Sequence, residues 1–247
     1  MIPDTKREKI ALEIIRTLFK RFESFPEDST KNRNAPFHEA FLQAFSDKFN
    51  SCFSDIPFFI SLSSWLHGLN TTLGQSFFEN IAHIVSDSEK KEFTSKKEGT
   101  LQINKTQKES VSSIITQLSN DECQPDLESE NYRLFNREDN RLVNAIDFTA
   151  DVFINDSHNI AAIELKTVKP NSGEMRGEKQ KILEGKAALY SKYPDKQIKF
   201  HLGFPFDPTH DPKDPTGYNK KRFMKSCINM TKYFAENEIL LASELWD

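Results

Sequence analysis

The chain has 247 residues, a formal net charge of −4 at pH 7 and only 8 glycines. This length suits one domain, or one domain with a helical extension, and it can bury a substantial core. The scarcity of glycine disfavours a turn-rich β fold, and no apolar run approaches the ~18 residues expected of a membrane-spanning helix. Cys52, Cys123 and Cys227 are far apart and lack metal-ligand spacing, so we expect reduced thiols in a cytoplasmic protein.

The N-terminal half is predicted to be mostly helical. Apolar residues at helical spacing mark residues 5–22, 37–49, 57–66 and 100–118. Residues 70–85 form another amphipathic pattern, for which Asn70 is a plausible N-cap. This segment carries Gly74 and Glu79, and the pattern alone is equally consistent with a surface glutamate.

The most informative segment is residues 147–166. Two short apolar runs, 152–154 and 160–163, flank the turn composition Asn-Asp-Ser-His-Asn, which predicts a β-hairpin. If residues 156–159 form the loop, Asp151 lies directly opposite Glu164, with Cβ atoms about 5 Å apart. Two carboxylates at this distance suit the binding of one shared divalent cation.

Strand alternation predicts which side chains share a face of this hairpin. Lys166 should lie on the face of Glu164, and Asp147 should lie too far along the strand to share the cation with it. We therefore prefer Asp151 to Asp147, although a slip of one residue would reverse the facing. The opposite face, packed into the core, should carry Phe148, Ala150, Val152, Ile154, Ile163 and Leu165.

An aspartate, a hairpin and then Glu164-Leu165-Lys166 together resemble the PD-(D/E)xK nuclease superfamily; Ala150 stands where a proline is common. The resemblance implies that Asp151 and Glu164, with the Leu165 carbonyl, hold Mg²⁺. It also implies that Lys166 orients the attacking water or helps to deprotonate it. Gly74 and Glu79 resemble a small residue and a glutamate that many members place on a helix facing the active site, which makes Glu79 a candidate catalytic residue.

The segment that follows is predicted to be a strand end, a loop closed by Pro170, and a helix start capped by Asn171 or Ser172. From Glu164 to Lys181 it is similar to the TdeIII group of type II restriction endonucleases, and the similarity extends over about residues 145–205. This resemblance implies a GC-rich, interrupted palindrome of the GGNCC type as the target. A palindrome would be matched by a twofold homodimer, with a cognate DNA methyltransferase in the same prokaryotic system.

Residue chemistry suggests which side chains contact DNA. Arginine can donate two hydrogen bonds to guanine and glutamate can accept from cytosine, so Arg176 and Glu174 are candidates for base recognition. A solvated helix end rich in Glu-Lys pairs is an equally good interpretation of any one of these residues. The candidates for other DNA contacts, chiefly to phosphates, are Lys169, Asn171, Lys179 and Lys181.

The C-terminal part predicts a helix over 178–190, a strand over 197–202, a proline-containing loop over 207–218 and a helix pair over 220–241. The expected fold class is α/β: a PD-(D/E)xK nuclease core, with a mixed central β-sheet flanked by helices, and a helix-rich N-terminal half. We expect one restriction-endonuclease-like domain over 1–247. Its parts would be a helical extension (1–70), a catalytic core (71–205) and a C-terminal loop with helices (206–247).

The expected function is Mg²⁺-dependent, site-specific cleavage of double-stranded DNA. A net charge of −4 is not typical of a DNA-binding protein, but residues 166–199 carry a local excess of Lys and Arg. Two alternatives remain at this point: a repair or recombination nuclease on the same fold, and a non-catalytic DNA-binding protein with a decayed nuclease core. The presence of Asp151, Glu164 and Lys166 together argues against decay.

Overall fold

The computed structural model describes residues 2–25, 35–45, 55–135, 141–167, 174–214 and 216–247. The chain divides into two compact units, Met1–Ile81 and Ala82–Asp247. Within the described ranges, no helix combines the length and the apolar character needed to cross a bilayer.

The first unit is helical. It contains α1 (Asp4–Glu23), α2 (Ala35–Ala44) and α3 (Ile56–Thr72). Helix α3 continues through a π-helical turn (Leu73–Phe77) into α4 (Phe78–Ser86), whose residues from Ala82 onward belong to the second unit. Trp65 Nε1 donates to the Arg21 carbonyl at 2.6 Å, and Arg21 donates to the Trp65 carbonyl at 2.7 Å, which joins α1 to α3. The helices expected over 5–22 and 57–66 are confirmed. The helix expected over 37–49 corresponds to α2, and residues 46–49 of that prediction lie outside the described residues.

The predicted N-cap at Asn70 is wrong, because Asn70 lies inside α3. The helix that was expected to begin there is the continuation of α3 through the π-helical turn. Backbone hydrogen bonding therefore continues past residue 70, and no free amide groups remain there for a cap to satisfy. The true cap of α3 is Asp55, whose side chain accepts from the Phe58 amide at 3.0 Å.

The second unit is built on a mixed five-stranded sheet in the order β1 (Glu89–Phe93), β4 (Phe148–Asn155), β5 (Asn159–Leu165), β6 (Gln197–Phe204) and β7 (Ile239–Leu241). Strands β1, β4 and β5 are antiparallel neighbours, whereas β5, β6 and β7 are parallel. A separate two-stranded sheet pairs β2 (Gln102–Asn104) with β3 (Leu142–Asn144). The expected fold class, a mixed central sheet flanked by helices, is confirmed.

Helices cover both faces of this sheet. They are α5 (Lys105–Ser119), α6 (Leu127–Leu134), α7 (Glu174–Lys192), α8 (Lys220–Ser226), α9 (Met230–Tyr233) and α10 (Ser243–Trp246), with a 3₁₀ turn at Glu236–Glu238. The main core lies between one face and helices α5 and α7. Helix α7 approaches β6 closely at Gly185, where a Cβ atom would lie 2.7 Å from the Phe200 ring.

The predicted hairpin register is confirmed. Asn155 pairs with Ile160 and Val152 pairs with Ile163. Asp151 and Glu164 are the next residues on the two strands, directly beyond the last pair of the ladder. This agreement follows from the period of two in strand side chains together with a turn of fixed length.

The predicted facing of β4 is partly wrong. Phe148 and Ala150 pack into the main core, whereas Val152 packs with Ile163 and Leu165 in a smaller cluster on the other face. The cause is a β-bulge. Lys91 pairs with Ala150 and Glu89 pairs with Phe153, so that Asp151 and Val152 stand opposite the single residue Lys90.

Four strands were not predicted: β1, β2, β3 and β7. Strand β2 occupies residues 102–104 of the helix expected over 100–118, which begins only at Lys105. The final segment forms α8 and α9 as a helix pair, but it then contributes β7, whose three residues are too few to show a period. Strand β1 has the sequence Glu-Lys-Lys-Glu-Phe and lies at the edge of the sheet, where charged side chains are common because they discourage further strand pairing.

Candidate active site

A cleft of about 490 Å³ opens beside the bulge, where β1, β4 and β5 adjoin α7. Its walls combine both signs of charge. The side chains include the carboxylates of Glu92, Asp147, Asp151 and Glu164 and the ammonium groups of Lys90 and Lys181.

Asp151 is held at the bulge by contacts to three other elements. Its Oδ2 accepts from the Leu165 amide at 2.9 Å, and its Oδ1 lies 3.3 Å from Lys90 Nζ. The backbone carbonyl of Asp151 lies 2.7 Å from His83 Nε2, which must carry the hydrogen because a carbonyl oxygen only accepts. Sequence reasoning missed Lys90 and gave His83 no role, since both depend on pairing across elements that are distant in the chain.

Glu164 is buried at the end of β5 and has one carboxylate oxygen in ion pairs. Its Oε1 lies 2.8 Å from Lys181 Nζ and 3.3 Å from Lys166 Nζ. Its Oε2 is buried and has no hydrogen-bond partner among the described residues. Burial, together with the charge of Asp151, raises the pKa of the Glu164 carboxyl group, against the opposing effect of Lys181 and Lys166.

Lys166 is surrounded by acidic side chains. Its Nζ donates to Glu178 Oε1 at 2.8 Å and lies 3.3 Å from both Glu164 Oε1 and Glu174 Oε1. Burial favours the neutral amine, but the carboxylates of Glu178, Glu164 and Glu174 outweigh it and raise the pKa of Lys166 above its ordinary value. In this arrangement Lys166 is a cation held by three carboxylates.

Helix α7 contributes Glu178 and Lys181 to the site. Glu178 Oε2 lies 2.6 Å from Lys181 Nζ, while Oε1 accepts from Lys166. Although burial works against it, the two ammonium groups lower the pKa of Glu178. Sequence analysis gave Glu178 no role; its signal is the spacing of Glu174, Glu178 and Lys181, which places them on one face of a helix.

The whole sequence matches the family model described as "Type II restriction endonuclease, HinfI" over residues 3–247. The chain belongs to this family. It is also 47% identical over 242 residues to "Type II restriction enzyme MjaII" of Methanocaldococcus jannaschii, a match that covers 97% of this chain and 64% of that protein. The chain thus spans less than two thirds of the length of this curated relative. No solved structure matches the chain significantly.

The expected membership of the type II restriction endonucleases is therefore confirmed for a chain whose hairpin brings together Asp151, Glu164 and Lys166. Asp147 lines the same cleft, but Thr100 Oγ1 donates to its Oδ1 at 2.7 Å and the Ser95 amide approaches its Oδ2 at 3.4 Å. Asp147 is thus bound to Thr100 and Ser95, whereas Asp151 is bound to Leu165 and Lys90. Asp147 is therefore a natural control for Asp151 in experiments.

The chemistry of the cleft fits a divalent cation. The carboxylates of Asp151, Glu164, Glu174 and Glu178 pair with only three ammonium groups, those of Lys90, Lys166 and Lys181. The walls of the cleft also carry Glu92 and Asp147, so negative charges outnumber positive ones. Oε2 of Glu164 accepts no hydrogen bond from the described residues. Within the described part of the chain, no three His, Cys, Asp or Glu side chains converge as metal ligands. Two protein carboxylates suit Mg²⁺, since this ion usually takes the rest of its ligands from water and substrate phosphate.

The predicted DNA-binding residues of this family member separate into distinct groups. Arg176 is exposed in the first turn of α7, and Glu174 is half buried with its carboxylate directed at Lys166. Lys181 lies in the cleft itself. Lys169 and Asn171 lie outside the described residues.

The expected phosphate contact of Lys179 is not supported, because this side chain is completely buried. Its ammonium group donates to Glu130 Oε2 at 2.6 Å and to both oxygens of Glu238 at 2.7 Å. Two residues along a helix turn the side chain by about 200°, so Lys179 and Lys181 point in nearly opposite directions.

Glu79 lies in the first unit, in the first turn of α4, with its side chain half buried. Gly74 belongs to the π-helical turn that precedes it. The catalytic role of Glu79, and the role of the Leu165 carbonyl as a metal ligand, stay predictions.

Proposed function

We propose that this protein is a type II restriction endonuclease, a Mg²⁺-dependent hydrolase that cleaves phosphodiester bonds in double-stranded DNA at a short palindromic site. One observation carries the proposal: in a member of the HinfI family, Asp151 and Glu164, which adjoin the hairpin pair Val152–Ile163 on their two strands, line the same charged cleft. The MjaII relative is itself named as a type II restriction enzyme.

Asp151 and Glu164 would hold the metal ion, with the Leu165 carbonyl as a further ligand. When bound, Mg²⁺ would stabilise the charge that develops on the scissile phosphate and lower the pKa of the attacking water. Lys166 would orient that water from beside Glu164, and Glu79 is retained as a further candidate. Lys181, which lines the cleft, would contact the phosphate.

Target recognition is assigned to the start of α7 and the segment before it. Arg176, which is exposed, would donate to guanine, and Glu174 would accept from cytosine. Lys169 and Asn171 would contact the backbone. The target proposed from the resemblance is GC-rich and interrupted, of the GGNCC type. It would be cut by a homodimer in a prokaryotic cytoplasm that also holds the cognate DNA methyltransferase.

Digestion of plasmid DNA tests this proposal. With Mg²⁺ the wild-type protein should give discrete fragments, and sequencing of their ends should reveal one palindrome; EDTA should stop the reaction. Random nicking, or nicking directed by DNA structure, would contradict site-specific cleavage, and fragment ends without GG and CC would contradict the GGNCC target.

Two variants test the metal site. Asp151→Asn should abolish cleavage and weaken Mg²⁺ binding measured by calorimetry, while DNA binding without metal is retained. Asp147→Asn is the matched control, because it removes a charge from the same cleft but not the proposed ligand. Equal loss of activity in both variants would reject the assignment of Asp151.

A further inference from the structure

Glu178 bridges two lysines with its two carboxylate oxygens. Oε1 accepts from Lys166 Nζ at 2.8 Å, and Oε2 lies 2.6 Å from Lys181 Nζ. Both lysines also approach the same oxygen of Glu164, at 3.3 Å and 2.8 Å. The four side chains therefore form a closed ring in which positive and negative charges alternate.

This ring differs from the Glu-Lys pairs found on most helix surfaces. Exposed pairs stabilise proteins little, since water and salt screen the charges. Here the side chains of Glu178, Lys166 and Lys181 are only 11%, 19% and 20% exposed. Charge pairs are stronger out of water than in it. Glu178 accepts a hydrogen bond from Lys166 and forms an ion pair with Lys181 at 2.6 Å, so it can fix the position of both ammonium groups.

We propose that Glu178 is a positioning residue for cleavage, which holds Lys166 and Lys181 as a pair beside the same oxygen of Glu164. The inference rests on the proposed function. Lys166 is kept beside the carboxylate that would bind the metal, and Lys181 is kept at the wall of the cleft, where a phosphate would enter. Helix α7 thereby supplies the arrangement of cations that strands β4 and β5 alone do not.

The loss of this carboxylate should have opposite effects on binding and on cleavage. Without Glu178, both lysines remain attracted to Glu164, so they compete with the metal for its oxygen and lose their fixed spacing. A shift of about 1 Å in a catalytic group can cost about 100-fold in rate. DNA affinity should not fall, because one negative charge has been removed from a surface that faces phosphates.

The experiment compares Glu178→Gln with the wild-type protein in two assays. We expect the single-turnover cleavage rate to fall by about 100-fold. Metal-free affinity for duplex DNA, measured by fluorescence anisotropy at fixed salt, should stay equal or increase. Glu178→Asp, which keeps the charge on a shorter side chain, should recover part of the rate.

Glu184→Gln is the matched control. It removes a buried carboxylate from the same helix, one that lies 2.6 Å from Lys108 and does not line the cleft. Its rate should stay close to that of the wild type. Circular dichroism melting of every variant identifies any general loss of structure.

The outcomes separate this inference from the proposed function. A wild-type protein that cleaves no DNA would refute both. If the wild type cleaves, an undiminished rate in Glu178→Gln refutes the positioning role alone. A parallel fall in rate, DNA affinity and melting temperature, with no recovery in Glu178→Asp, would show that Glu178 is merely structural and would also overturn it.

Discussion

Replacement of Lys179 by methionine should destabilise the folded protein and leave DNA binding unchanged. The side chain is fully buried, and methionine matches its length, so the change removes a charge without creating a large cavity. Glu130 and Glu238 would then lose the ammonium group that lies 2.6–2.7 Å from their oxygens. The nearest remaining cation is Lys186, which lies 3.7 Å from Glu238 Oε1.

The loss of one partner from a buried ion pair typically costs about 3–5 kcal/mol, because the remaining charge is uncompensated. For a chain of this size, each kcal/mol lowers the melting temperature by about 2–4 °C, which gives a fall of about 6–20 °C. The double variant Lys179→Met/Glu130→Gln should regain part of this loss, since Glu130 then no longer buries an unpaired charge.

Urea denaturation followed by circular dichroism measures the free energy of unfolding, and fluorescence anisotropy at fixed salt measures DNA affinity. Lys181→Met is the matched control: its ammonium group lines the cleft, so it should weaken DNA binding and affect stability much less. The reasoning would be refuted if Lys179→Met weakened DNA binding as much as Lys181→Met does while its stability stayed at the wild-type level.

Three further predictions each concern a single residue. His83→Ala should weaken Mg²⁺ binding and cleavage because the Asp151 carbonyl loses its donor, and His83→Gln, which can still donate, should restore part of both; calorimetry with equal values for the two variants would contradict this. Burial lowers the pKa of His201 from 6.5 to about 4. The unfolded chain therefore takes up the proton first, and stability should fall by about 3 kcal/mol as the pH decreases from 6.5 to 4. Urea titrations across this range should show a smaller fall in His201→Gln. Arg176→Ala should reduce the difference in binding free energy between cognate and scrambled DNA by about 1–3 kcal/mol. An unchanged difference would place base recognition elsewhere.

The hairpin could be predicted because its determinants are local. Alternating apolar residues and a turn of defined length were enough to predict that Asn155 pairs with Ile160 and Val152 with Ile163. The bulge at Asp151 could not be predicted in the same way, since it arises from pairing with β1, a strand that is distant in the chain and has no apolar period. Lys90 and His83 were missed for the same reason: each reaches Asp151 from another element.

The error over Lys179 has a different origin. A signal was available, because Met175, Lys179 and Ile182 follow the helical spacing of a buried stripe. Charge was taken as evidence of exposure, whereas here two acidic residues from other parts of the chain allow a lysine to be buried. Lys181, two positions further on, lines the cleft, and its role as a phosphate contact stays a prediction.

Helix α7 is anchored from two sides. Glu178 pairs with Lys166 and Lys181 at the cleft. The adjacent Lys179 pairs with the buried carboxylates of Glu130 and Glu238. Immediately before them, Arg176 and Gly177 are exposed, and a Cβ atom at Gly177 would meet no other described atom within 4 Å. Substitutions at these two positions can therefore alter the surface offered to DNA at little cost to folding or to the cleavage machinery, which makes the pair a rational starting point for a library of altered target preference.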